Sequence, residues 1–217
     1  MSSGSPTVVL AVNPSRASFY FEDVVMTFQS QFTGMEQRVR RFGRWRGRME
    51  WTYLDRQQAY AILRHFSRFN MGEAFLFYDP VRQDPNGDVT ATVLSTEVTT
   101  VGSPGIKVNG ANQVGRAINV KDIPNRASDK VLLRAGDLIT FDDTNQMVEV
   151  YADFMGTGTT TGTIQLSQYI RKSPGANVVI QVQTPTVRMR LASPAVPDVG
   201  DGTSQFGFSI EVIEALS

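Results

Sequence analysis

The feature that most constrains this chain is an alternation. Trp45, Gly47, Met49, Trp51 and Tyr53 share one parity, and Arg44, Arg46, Arg48, Glu50 and Thr52 take the other. Neighbouring side chains of an extended strand point to opposite faces, so this run predicts a long strand with one buried and one wet face. Phe42 and Gly43 interrupt the parity, which predicts a turn or a β-bulge at that point. The wet face is strongly basic: Arg38, Arg40, Arg41, Arg44, Arg46 and Arg48 fall within eleven residues, beside Trp45 and Trp51.

At residue 55 the period changes. Ala59, Ile62, Leu63, Phe66 and Phe69 recur at helical spacing and form one apolar stripe. Asp55 stands at the N-cap position, Gln58 completes a capping box, and Asn70, Met71 and Gly72 supply a stop. The spacing thus predicts a helix over 55–69, the one helix in the chain. The apolar run at 73–78, ended by Asp79 and Pro80, predicts a buried strand. Before the alternation, residues 7–12 read as a first strand after a polar start, and Phe19, Phe21 and residues 24–28 as more extended chain.

Beyond residue 81 aromatics thin out and Thr, Val, Gly and Asn dominate. Turn signals at 84–87, 103–105 and Asn109-Gly110 separate short apolar runs at 90–101, 106–108, 131–133, 138–141, 147–151, 163–166 and 177–182. The Thr/Gly tract 156–162 reads as a loop. Many short strands with regular turns predict a small β-barrel or β-sandwich. At the end of the chain, after a short run at 189–191, Phe206, Phe208, Ile210 and Val212 alternate with Gly207, Ser209 and Glu211. That aromatic strand resembles the first eighty residues more than the middle. The expected organisation is therefore one mainly β domain with a single helix, made of residues 1–80 and 184–217, carrying an inserted β-rich domain at 81–183.

Composition narrows the function classes. With 21 basic and 21 acidic residues the chain is neutral, a poor match to nucleic-acid binding over its whole surface. It has no Cys, which removes disulfides, thiolate nucleophiles and Cys-type zinc sites. The polar start lacks the pattern of a signal peptide, and no apolar run approaches the ~20 residues of a membrane span, so the expectation is assembly in the cytoplasm with no membrane insertion.

No catalytic, cofactor or metal set emerges. The only His is His65, beside the helix's apolar stripe, where a boundary residue is the plain reading. Asp142, Asp143, Glu149 and Asp153 are the carboxylates that could gather. Asp142-Asp143-Thr144-Asn145 looks like the start of a calcium loop, but its sixth and twelfth positions fall on Met147 and Asp153 instead of Gly and Glu, so a hairpin turn is expected. The glycines of 156–162 do not follow phosphate-loop spacing. The arginine run has three readings: phosphate contact with aromatic stacking, a protein interface facing acidic partners, or a solvated strand face guarding an edge. Glu211 and Glu214 near the C-terminus supply acidic charge that could face the arginines across a head-to-tail contact between copies.

Several segments together resemble the distal tail proteins of bacteriophages. These are RWRGRMEWTYLDRQQA at 44–59 leading into the helix, GEAFLFYDP at 72–80, VNGANQVG at 108–115, LRAGDL at 133–138, RLA at 190–192, and the terminal alternating strand. Their order, spanning residues 35–217, carries the resemblance; the long polar start before residue 20 departs from it. The resemblance implies a hub domain with the tail-tube fold, two sheets flanked by one helix. It implies a ring, hexameric in this family, that joins the tail tube to the baseplate hub. The tape-measure protein and tail fibre proteins would be further partners, and DNA would only pass through the channel. It implies a virion structural protein with no enzymatic activity and no cofactor. Arg38, Arg40, Arg41, Arg44, Arg46, Arg48, Glu211 and Glu214 are the candidate interface residues. Two other readings stand beside it: a carbohydrate- or receptor-binding module in 81–183, using Phe141, Tyr151, Phe154 and Tyr169, and a tail-associated hydrolase using Asp142 and Glu149. A tube or terminator ring subunit would share the fold.

Overall fold

The computed structural model describes residues 13–69, 73–90, 94, 105–124, 130–156, 158–194, 196–199 and 206–216, with backbone alone at 24–26, 37–42 and 196–199. The strand expected at 7–12, the helix stop at 70–72 and most of the run at 90–101 lie outside these residues.

The fold is mainly β. Strands β1 (Arg16–Gln29) and β2 (Glu36–Leu54) form a long antiparallel hairpin. Helix α1 (Arg56–Phe66) follows, then β3 (Phe75–Tyr78). Eight short strands come next: β4 (Lys107–Val108), β5 (Gly115–Lys121), β6 (Val131–Leu133), β7 (Leu138–Phe141), β8 (Gln146–Glu149), β9 (Phe154–Met155), β10 (Thr161–Ile170) and β11 (Ile180–Gln181). The chain closes with β12 (Thr186–Leu191), β13 (Val196–Val199) and β14 (Phe206–Glu214). The largest sheet runs β1-β2-β14-β12-β3, with β13 also on β14. Two compact units result, Met1–Leu76 with Arg188–Ser217, and Phe77–Val187. The sequence places the second unit at 81–183; the observed boundaries lie a few residues outside that, within β3 and β12.

In the first unit the predicted parity holds along most of β2. Trp45, Gly47, Met49 and Trp51 are buried, while Arg44, Arg46 and Glu50 are half-buried and Arg48 is exposed. The Phe19 ring stacks on Trp45 at 5.2 Å between centroids, and Phe21 meets its edge at 5.4 Å. Gly47 lets Phe19 and Val212 close over the strand, since a Cβ there would lie 2.8 Å from Val212 Cγ2. The irregularity expected at Phe42-Gly43 is a bulge: the pairing steps from Glu22↔Arg44 to Val24↔Arg41, leaving one extra residue on β2. A Cβ on Gly43 would collide with the Glu22 carbonyl and the Phe21 ring.

Tyr53 corrects the sequence pattern. Its parity predicts burial, yet it is 79% exposed and Leu54 is buried instead. The pairing steps from Phe208↔Trp51 to Phe206↔Leu54, so a second bulge absorbs one residue, with Tyr53 in the left-handed region at φ 60°. A bulge shifts the alternation by one position, and every later side chain changes face.

Helix α1 starts where the capping box places it. The Asp55 carboxylate accepts from Gln58 N–H at 2.7 Å, and Gln58 Oε1 accepts from Asp55 N–H at 3.1 Å. Ala59, Ile62 and Phe66 are buried, and Phe66 meets Phe75 edge-on. The helix ends earlier than residue 69, capped at Ser67, whose N–H donates to Leu63 O.

The second unit packs its short strands around one aliphatic core. Its sheets are β10-β5-β4, β11-β7-β8 and β6-β9. Leu94, Ile106, Val108, Ile118, Val120, Leu132, Ile139, Val148 and Ile164 are among its fully buried members. Asp142–Asn145 is the expected hairpin turn between β7 and β8, with Asn145 at φ 50°. Three expectations shift. Asn109-Gly110 opens a longer loop, 109–114, which Gln113 ties by donating to Asn109 O at 2.9 Å and accepting from Asn119 N–H at 2.6 Å. Gly162 lies inside β10 rather than in a loop; a Cβ there would lie 2.9 Å from the Phe154 ring, so the glycine admits that ring to the core. Leu94 is helical, its N–H donating to Thr90 O at 3.1 Å, where the Thr/Val texture predicts strand. Complete burial of the Leu94 side chain outweighs a weak local β preference.

Candidate interface

The basic face of β2 lies between β1 and β14. Register sets Glu22 opposite Arg44, Tyr20 opposite Arg46 and Ser18 opposite Arg48 on one side, and Glu211 opposite Arg48 on the other. Arg46 Nε donates to Glu22. Arg48 Nε lies 2.9 Å from Glu50, and its Nη1 lies 3.9 Å from Glu211. The carboxylates beside Arg46 and Arg48 are thus supplied by the same sheet. The sequence allows Glu211 to face the arginines of another copy; the structure puts it next to Arg48 because β14 returns to pair with β2. The pairs are exposed at their edges, so each contributes no more than ~1 kcal/mol.

Glu214 is a further correction. Read as an interface residue, it is 3% exposed. Backbone pairing of β14 with β2 is last seen at Ile213↔Arg46, and the Glu214 carboxylate accepts from the next inward N–H, that of Trp45, at 3.1 Å. Glu214 therefore extends the ladder with a side chain and belongs to the sheet interior. The signal was present in the alternation, since Glu214 has the parity of Phe208, Ile210 and Val212. Arg44 is half-buried. Arg38, Arg40 and Arg41 pair through Cα register with Thr27, Val25 and Val24 of β1, and their side chains lie outside the description.

A second surface escaped the sequence reading. The tip of the β1–β2 hairpin exposes Phe28 (53%), Phe32 (98%) and Met35 (73%). Ser30 organises the tip. Its N–H donates to Met35 O, its carbonyl accepts from Gly34 N–H, and its hydroxyl accepts from the N–H groups of Phe32 and Thr33. Gly34 takes φ 65° to close the turn. Three large apolar side chains exposed at one hairpin tip make it a candidate interaction surface. The available signal was turn residues, Ser30 and Gly34, flanked by the apolar Phe28, Phe32 and Met35.

The residues weighed for chemistry disperse. Asp143 accepts from Gly175 N–H at 2.8 Å, Asp153 from Ala135 N–H at 2.9 Å, and Glu149 pairs with Arg82 at 3.1 Å. Burial, and then the neighbouring Asp143 charge, push the Asp142 carboxyl above its ordinary value, against a lowering hydrogen bond from Gln181. Among the described residues no group of three or more His, Asp or Glu is arranged to hold a metal ion. His65 sits edge-on to Phe66 and Phe69 with its Nε2 buried and without a hydrogen-bond partner among the described residues. Burial first, then the Arg68 charge, hold its pKa below the ordinary value. Of the aromatics weighed for glycan binding, Phe141 and Phe154 are core residues, while Tyr151 and Tyr169 are exposed. The Tyr169 ring is covered by the Arg116 guanidinium at 4.6 Å.

Among the described residues no helix is long and apolar enough to cross a membrane. The sequence matches no family model and no curated protein.

Proposed function

We propose that this chain is a structural ring subunit of a bacteriophage tail tip, of the distal tail protein kind, joining the tail tube to the baseplate hub. The observation that carries the reading is the ordered hairpin tip, which presents Phe28, Phe32 and Met35 to solvent at the end of two long strands. An apolar projection of this kind is stable in solution only at a cost, and docking it on another subunit removes that cost. In this reading the tip docks on a different patch of the next copy, a heterologous contact. Heterologous contacts close into rings or run on as filaments. The ring is a hexamer located in the virion and assembled in the host cytoplasm. Its neighbours are the tube, hub and tape-measure proteins, with tail fibre proteins on the outer unit.

The test is direct. The purified chain at micromolar concentration is expected to form rings in negative stain and to co-sediment with tail tube protein. Phe32→Asp, at a fully exposed site, is expected to keep the fold and abolish that assembly. A monomer at every concentration, with no affinity for tube or hub proteins, overturns the reading.

A further inference from the structure

The outer face of α1 presents exposed arginines that contrast with the ion-paired ones elsewhere in the molecule. Arg46, Arg48, Arg82 and Arg134 each have a carboxylate within the chain. Arg56, Arg64 and Arg68 are exposed and have no acidic partner among the described residues. Arg56 occupies the first turn, next to the N-cap Asp55, whose carboxylate is already committed to the Gln58 N–H. Helical spacing turns Arg56, Gln57, Tyr60, Ala61 and Arg64 away from the buried Ala59, Ile62 and Phe66, and these five line a shallow open depression. Ala61 leaves its floor low, and Tyr60, 55% exposed, forms one wall.

The geometry points to this face as a docking surface for an acidic, amphipathic protein segment, with carboxylates on Arg56 and Arg64 and one apolar side chain over Ala61. Guanidinium groups bind carboxylates through paired N–H donors, and the apolar floor gives the segment its register. Nucleic acid fits less well. The Arg56 guanidinium already lies over the Tyr60 ring, 5.6 Å from its centroid, which occupies the platform a base would use. The chain's overall neutrality also supplies no long-range attraction for a polyanion. The inference stands apart from ring formation, because α1 and the hairpin tip are separate surfaces.

Fluorescence anisotropy on the full chain tests it. The probes are a labelled amphipathic peptide with Glu and Leu at helical spacing, its Glu→Gln counterpart, and a single-stranded DNA of similar length. The Glu peptide is expected to bind, to weaken as salt rises through the range where exposed pairs are screened, and to lose about tenfold or more in affinity with Arg56→Glu/Arg64→Glu. Arg56→Lys/Arg64→Lys should retain part of it. Far-UV circular dichroism and assembly of the double variant report separately on fold and on ring formation. Equal binding of the Gln peptide, tighter binding of DNA, or unchanged affinity in the charge-reversed variant overturns the inference. So does self-association that the double variant alone abolishes, which would make the occupant a second copy.

Discussion

The unit that carries α1 buries aromatic side chains between a few long strands, whereas Phe77–Val187 buries aliphatic side chains among many short ones. Trp45, Trp51, Phe66, Phe75 and Phe208 build the first core; Ile, Leu and Val dominate the second, with Phe141 and Phe154. The difference reaches the surface. The β1–β2 hairpin ends in exposed Phe28, Phe32 and Met35. Short strands turn back before they leave the core, and Gln113, Asp137 and Gln146 tie the connections with side-chain hydrogen bonds to backbone.

The largest test of that contrast uses both cores. Trp45→Ala is expected to cost the first unit ~3–5 kcal/mol, and Leu132→Ala to cost the second ~2–5 kcal/mol. Both tryptophans belong to the first unit, so their fluorescence reports that unit alone, while calorimetry reports both. Two transitions, each moved by one variant only, are expected; a single shared transition would break the comparison. Glu214→Ala is next. It leaves the buried Trp45 N–H without its acceptor and should cost ~1–3 kcal/mol in denaturant unfolding. Glu214→Gln, which keeps an acceptor oxygen, should cost less.

A smaller effect is expected at the helix start, where Asp55→Ala removes the carboxylate that accepts from Gln58 N–H and should cost about 1 kcal/mol, with Asp55→Asn close to neutral. Arg48→Ala on the exposed sheet face should change stability by no more than ~0.5 kcal/mol. The last test is pH. The unfolded chain takes up a proton at His65 near 6.5, while burial and Arg68 keep the folded imidazole neutral to lower pH. Stability from this site is therefore complete above that value and is lost as pH falls through the lowered folded value. The thermal midpoint of the first unit should drop over that range, and His65→Gln should flatten the drop.

What could be read without coordinates was whatever depends on near neighbours. Alternation along β2 and β14, the capping box at Asp55 and the turn at Asp142–Asn145 rest on contacts a few residues apart, so side-chain order alone specifies them. The mainly β class and helix α1 follow from the same periods. The resemblance to distal tail proteins rests on order and spacing of weak motifs, and its functional content remains the proposal tested above.

Other features needed the chain to close on itself. Tyr53 leaves the buried face because a bulge opposite β14 shifts the register, and no local pattern announces which residue a bulge absorbs. Glu214 is buried because the sheet leaves Trp45 N–H to be paired, a demand created 169 positions away in sequence. Glu211 neutralises Arg48 within one sheet for the same reason, since β14 returns beside β2. The amino-acid order decided which faces are apolar and where the period changes; only tertiary pairing decided which charges meet, because Coulomb and hydrogen-bond energies depend on distances in space that sequence separation does not fix.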